Sequence, residues 1–245
     1  MEPWILITLG AAAAQTLRFM LQKHLKSTKL STAGATFARF IYSAPLVAVI
    51  AISYATITEQ GAPDVPAQFW PYMLAGGTSQ ILATMSDPPG GIGPWHQRIF
   101  NRATALGLGA GILFGISGNG YRGASLSLED GDVFYRAIIT LAFVTAFQTI
   151  TMALWLVWRE RGQITAVIRA WRIAGLVGLT SMIGSICWFT AFTMQNAAYV
   201  NAVGQVELLF SLMIGAFVFG EKVTAREWQG LSLLTVSIVT LVLVV

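Results

Sequence analysis

The amino-acid sequence predicts an all-α polytopic membrane protein with about eight transmembrane helices. Three observations predict it. Of 245 residues, 55% are hydrophobic and only 11% are charged, against about 25% charged in a soluble domain, and mean hydropathy is +0.66. The apolar residues fall in long continuous runs rather than the alternating ten-residue segments of a membrane β-barrel. Tryptophans (Trp4, Trp70, Trp155, Trp158, Trp171 and Trp228) mark many of the run ends, as indoles do at the headgroup level of a bilayer.

A helical span needs roughly 20 mostly apolar residues. Taken in order, eight segments meet or approach that length: 4–22, 33–55, 69–85, 104–121, 134–157, 172–193, 197–219 and 228–245. The first is weakened by Gln15 and Arg18, and the third is the shortest. The N-terminus, MEPWILITLG, has no basic segment before its apolar run and is read as mature sequence rather than a signal peptide. Between the third and fourth segments lies a Pro/Gly-rich loop, 86–103, opening with Ser86-Asp87-Pro88-Pro89. With eight spans, one membrane face receives Lys23, Lys26, Lys29, Arg98, Arg102, Arg159, Arg161, Arg169, Arg172, Lys222 and Arg226. The other receives Arg122, beside the acidic LEDGD. The positive-inside rule makes the first face cytoplasmic and places both termini outside.

A basic pI near 9.5 does not indicate nucleic acid, because the cations form short clusters between apolar runs. The single Cys187 excludes an intrachain disulfide and a cysteine-rich metal site. HExxH, GxSxG, the P-loop and paired metal-binding aspartates are all missing. His24 and His96 stand alone in loops. The sequence therefore implies no enzyme, no cofactor and no metal. Its expected partners are the lipid bilayer and a small-molecule solute.

An internal repeat is visible. In TFARFIYSA (36–44) and VFYRAIITL (133–141), Phe37, Arg39 and Ile41 match Phe134, Arg136 and Ile138 at an offset of 97. In GGTSQILATM (76–85) and GLTSMIGSIC (178–187), Thr78-Ser79 matches Thr180-Ser181 at an offset of 102. After Cys187 the second copy runs 58 more residues, with two further helices, whereas the first copy passes from Met85 straight into the loop. The expected organisation is a three-helix first repeat (1–85), the loop (86–103) and a five-helix second repeat (104–245). An odd-numbered repeat inverts its partner's orientation in the membrane.

Candidate functional residues are the polar side chains inside the spans. Glu207 alone of the eleven acidic residues falls near the middle of one, where a charge costs about 2.5–3.5 kcal/mol to insert. Either it faces a wet cavity as a proton-coupling or amine-binding group, or it is neutralised and ties helices together. Tyr199, Val203, Ser211 and Gly215 share its face at i±4 spacing. Arg39 and Arg136 lie one to two turns inside their spans, placed to pair with Glu207, attract an anion or snorkel to the headgroups. Gln15 and Arg18 share one face of the first helix, and Tyr42 is one turn from Arg39. Gly107, Gly111 and Gly115 form a small-residue stripe suited to close helix packing. Around Gly118-Asn119-Gly120 the alternative is an unwound binding segment. Gln195, Asn196, Asn201 and Gln205, with Trp188 one to two turns earlier, offer amides and an indole to a small solute.

The stretch 196–243 resembles the carboxy-terminal helix pair of the EamA family, in the drug/metabolite transporter superfamily. The resemblance rests on Ala197-Ala198 at a helix start, Glu207 in its middle, Gly220-Glu221 at its close and Gly230 early in the last helix. Leu208 stands where the family usually has proline. The resemblance implies ten helices in two inverted repeats of five, a central path, and secondary transport, often export, of amino acids, metabolites or toxic small molecules. It also implies a bacterial cell (inner) membrane as the expected location. This chain lacks recognisable fourth and fifth helices. The competing expectation is a transport-inactive, internally deleted relative that inserts without a complete path and covers its exposed surfaces as a homo-oligomer.

Overall fold

The computed structural model describes residues 2–26, 30–85, 102–220 and 224–244, so most of the Pro/Gly-rich loop lies outside the described residues. Among those described there is no strand, and ten helices follow one another. They are α1 (Pro3–Lys26), α2 (Thr32–Ile57), α3 (Phe69–Met85), α4 (Arg102–Ser127) and α5 (Val133–Arg159). Then come α6 (Gln163–Arg169), α7 (Trp171–Met194), α8 (Ala197–Gly204), α9 (Val206–Phe219) and α10 (Ala225–Val244). Apolar runs become helices because lipid supplies no partners for backbone N–H and C=O groups, and a helix satisfies its own.

Six stretches among the described residues are long and apolar enough to cross a membrane, with α8 and α9 counted as one. Two of the eight expected spans are not among them. Helix α3 has only 17 residues, and α4 is diluted by glycine and serine. Local chemistry fixes the ends. Ser31 Oγ accepts the Gly34 N–H at the start of α2, Asp132 accepts from Tyr135 N–H at the start of α5, and Asn196 accepts from Ala198 N–H at the start of α8. These side chains take up helix N–H groups that have no intrahelical partner. Gly220, at φ +64°, closes α9 in the left-handed conformation that glycine adopts without penalty.

Three features depart from the sequence expectation. Helix α4 runs six residues past 121, because Arg122, Ser125 and Ser127 find partners within the protein. The connection after Arg159 contains the short helix α6. The expected helix 197–219 is two helices, interrupted at Gln205.

The most extensive packing joins α1 to α7 and α3 to α4; α2 lies against both α5 and α7, and α5 reaches α3 and α7. Helix α10 is peripheral, with none of its span buried inside the protein. Glycine brings α3 and α4 together. A Cβ on Gly120 would meet the Gly76 nitrogen and the Tyr72 carbonyl oxygen at 2.8 Å, and one on Gly76 would meet the Tyr121 ring at 2.7 Å. Gly107, Gly111 and Gly115 meet nothing within 4 Å among the described residues, so the close packing expected of that stripe falls instead one to three turns further along the helix. The caps Ser31 and Asp132 lie 101 positions apart and α3 and α7 start 102 apart. Measured from its cap, Arg39 is therefore one turn deeper than Arg136, and the 97-residue match between them is displaced by that turn.

Candidate functional site

Polar side chains converge where α1 and α7 meet the interruption between α8 and α9, with Arg39 of α2 behind them. At Gln205 the backbone tightens: Gln205 N–H donates to Ala202 O at 3.3 Å and Leu208 N–H to Gln205 O at 3.0 Å, both spanning three residues rather than four. This turn presents Glu207, in the first turn of α9, to helix α1. Gln15 Nε2 donates to the Glu207 carboxylate, and Gln15 Oε1 accepts from Trp188 Nε1 at 3.1 Å. The indole only donates, so Gln15 Oε1 faces Trp188 and Nε2 is left to donate to the carboxyl group. The Trp188 indole is seated by Gly204, where an added Cβ would lie 2.3 Å from the ring. Its other neighbour is Phe192, stacked at 5.6 Å between centroids.

Two arginines back this group. Arg18 is buried, donates to Gln22 Oε1 at 2.8 Å and interacts electrostatically with both Glu207 and Arg39. Arg39 is also buried and donates from Nε to Ser181 Oγ at 2.8 Å. Neither snorkels: each guanidinium is held inside the helix assembly by a polar side chain. A buried cation of this kind requires polar partners to offset its lost hydration.

The remaining expected residues divide clearly. Arg136 stays in the first turn of α5 beside Asp132, with its Nε buried and unbonded, and forms no ion pair with Glu207. Tyr42 packs its Cβ against Gly178 and reaches the Val167 carbonyl, away from Glu207's hydrogen bonds. Asn119 is exposed and bonds the Gly115 carbonyl of its own helix, which continues unbroken through Gly118-Asn119-Gly120. The departure from regular helix falls at Gln205 instead, as a tightened turn that keeps right-handed helical dihedrals. Asn201 approaches Gly118 on α4. Gln205, Tyr199 and Ser211 are exposed, while Val203 and Gly215 are buried. Exposed Tyr199 and Ser211 alternate with buried Val203 and Gly215 along the i±4 stripe through Glu207, so it does not line one continuous open face.

A second polar cluster was not singled out from sequence. Gln148, fully buried in α5, donates from Nε2 to Gln80 Oε1 at 2.8 Å, and Tyr121 Oη donates to the same oxygen at 2.9 Å. Tyr121 stacks on Phe189 at 4.4 Å. Gln148, a lone amide within a strongly apolar helix, was the available signal. Arg122, in sequence a marker of orientation, has a structural role as well. It donates to the carbonyls of Phe192 at 2.6 Å and Gln195 at 2.5 Å, clamping the end of α7 to α4, where a cation meets the negative end of the helix dipole.

Apolar spans, an interrupted helix and a carboxylate among buried polar groups define the class: an all-α integral membrane protein built like a transporter. The profile of the EamA-like transporter family matches residues 101–243, more than half of the chain, and the protein belongs to that family. The match takes in α4 through nearly all of α10, including Glu207 and Trp188; Gln15, Arg18 and Arg39 come from helices before it. No curated protein and no solved structure matches the chain. The family is one of transporters rather than enzymes. Among the described residues no group of three or more His, Cys, Asp or Glu side chains is placed to hold a metal.

Proposed function

We propose that this transporter exports a small amine-bearing or zwitterionic solute, such as an amino acid or a drug-like amine, in exchange for protons at Glu207. The observation that carries the proposal is the Glu207–Gln15–Trp188 chain at the helix interruption. A carboxylate there can bind either an ammonium group or a proton, and occupation by one excludes the other. Arg39 and Arg18 supply positive charge for a solute carboxylate. The stacked Trp188 and Phe192 rings offer an apolar, cation-compatible wall. Discontinuous helices at a midplane site are how many secondary transporters expose ligand groups.

The helix pairings support two inverted repeats, 1–85 and 104–245. Exchanging α1 with α4, α2 with α5 and α3 with α7 turns the α1–α7 pair into α4–α3 and the α2–α7 pair into α5–α3, and leaves α2–α5 unchanged. Rocking one half against the other would then alternate access to Glu207.

Cells expressing the chain are expected to resist at least one toxic amino-acid analogue or amine in a panel. Glu207→Gln is expected to lose that resistance while inserting into the membrane at wild-type level. Undiminished export by the variant rejects the coupling role. The glycine stripe of α4, uncovered among the described residues, favours a second reading, a chain that inserts without a complete path. Inserted wild-type protein that protects against nothing in the panel, and moves no proton-coupled current in liposomes, would establish it.

A further inference from the structure

The short helix α6 and the start of α7 form a groove of about 890 Å³, lined by Thr165, Arg169, Trp171, Arg172 and Ile173. We propose that this groove binds the headgroup of an acidic phospholipid, with Arg169 and Arg172 holding its phosphate. Both arginines are exposed, and among the described residues neither forms an ion pair. Residues 158–172 carry Arg159, Arg161, Arg169 and Arg172 against a single acid, Glu160, whose carboxylate is already engaged by the Ser31 hydroxyl. The groove is thus a site of uncompensated positive charge.

Its position between the ends of two spans selects a membrane lipid over a soluble anion. Helix α6 joins the ends of two spans, α5 and α7, and so lies at the membrane surface. Trp158 and Trp171 expose their indoles on either side of it, at the headgroup level such residues favour. Ile168 and Leu176 expose apolar surface nearby, 54% and 50%, where the acyl chains of a seated lipid would run. Basic pockets between helices at a membrane face recognise anionic headgroups in this way. The seat is also mechanically connected. Gln163 Oε1 accepts the Ser31 N–H at 3.1 Å, and Val167, buried in α6, receives the Tyr42 hydroxyl on its carbonyl. A bound headgroup therefore braces the start of α2, the helix that carries Arg39.

The test is native mass spectrometry of the purified full chain titrated with phosphatidylglycerol or phosphatidylcholine. The wild type is expected to retain phosphatidylglycerol preferentially. R169A/R172A is expected to weaken that retention about thirty-fold, and each single variant about five-fold, the effect of one interfacial arginine apiece. Phosphatidylcholine retention and the elution volume should not change. R159A/R161A, outside the groove lining, should weaken phosphatidylglycerol retention clearly less than R169A/R172A does. Equal losses in the two double variants would reduce the effect to general surface charge and overturn the site, as would undiminished retention by the single variants. Displacement of the lipid by millimolar inorganic phosphate would overturn the choice of a lipid over a free anion. The single variants keep the test decisive if the double variant does not fold.

Discussion

A glutamate in hydrocarbon must be neutralised or given polar neighbours, and the neighbours Glu207 receives are its most specific feature. Gln15 serves as an adaptor between carboxylate and indole, so Trp188 can sense the state of Glu207 without touching it. Trp188→Phe keeps the ring but removes the N–H. Loss of one net hydrogen bond, about 0.5–1.5 kcal/mol, corresponds to an apparent solute affinity about two- to tenfold weaker. Dose–response in the resistance assay checks this, and the variant should remain active where Glu207→Gln is not. Glu207, Gln15 and Trp188 were all visible in the sequence, because polar or amphipathic residues inside apolar runs stand out. Their connection was not visible, since 192 positions separate Gln15 from Glu207. Of the arginines, Arg18 interacts with Glu207 and Arg136 does not, a distinction that depends on which helices adjoin.

At the scale of elements, the two glycine sets of α4 make opposite predictions. Gly120→Ala places a methyl group against the α3 backbone, which cannot yield as a flexible side chain can. Overpacking of this kind costs about 1–3 kcal/mol, and the variant should melt at lower temperature in detergent. Gly111→Ala meets nothing within 4 Å among the described residues. It should be neutral or slightly stabilising, because alanine favours helix by up to about 1 kcal/mol over glycine. Equal behaviour of the two variants would contradict the α3–α4 crossing. At the start of α5, Asp132→Ala should cost about 1 kcal/mol as a lost N-cap. Partial burial pushes the Asp132 carboxyl up, but the Tyr135 N–H and the Tyr54 hydroxyl outweigh it and hold the group below its ordinary value. A depressed carboxylate contributes stability that is present above about pH 4, its unfolded value, and is lost as pH falls through the lower folded value. The melting difference between wild type and Asp132→Ala should therefore shrink under acid, and a difference that grows would contradict the cap.

For the whole molecule, the asymmetry between halves sets the expectation. Helix α1 packs mainly on α7, with α8 and α9 beside it, and α4 mainly on α3, with α7, α5 and α8 beside it, but among the described residues nothing covers Gly107, Gly111 and Gly115 of α4. Purified in detergent, the chain should be poorly stable as a monomer, and light scattering should find self-association that lowers with added lipid. A monodisperse, cooperatively melting monomer would contradict this. The sequence by itself determined the class, the approximate limits of most of the long helices, the polar residues worth attention and the family. All of these follow from local hydropathy, capping chemistry and short motifs, which act within a few turns of chain. Only the tertiary structure decided that the helix bearing Glu207 breaks at Gln205, that Gln15 rather than an arginine bonds Glu207, that close packing uses Gly76 and Gly120, and that α6 opens a basic groove. Each of these is set by which helix faces meet across long sequence separations, and neither composition nor periodicity encodes that pairing.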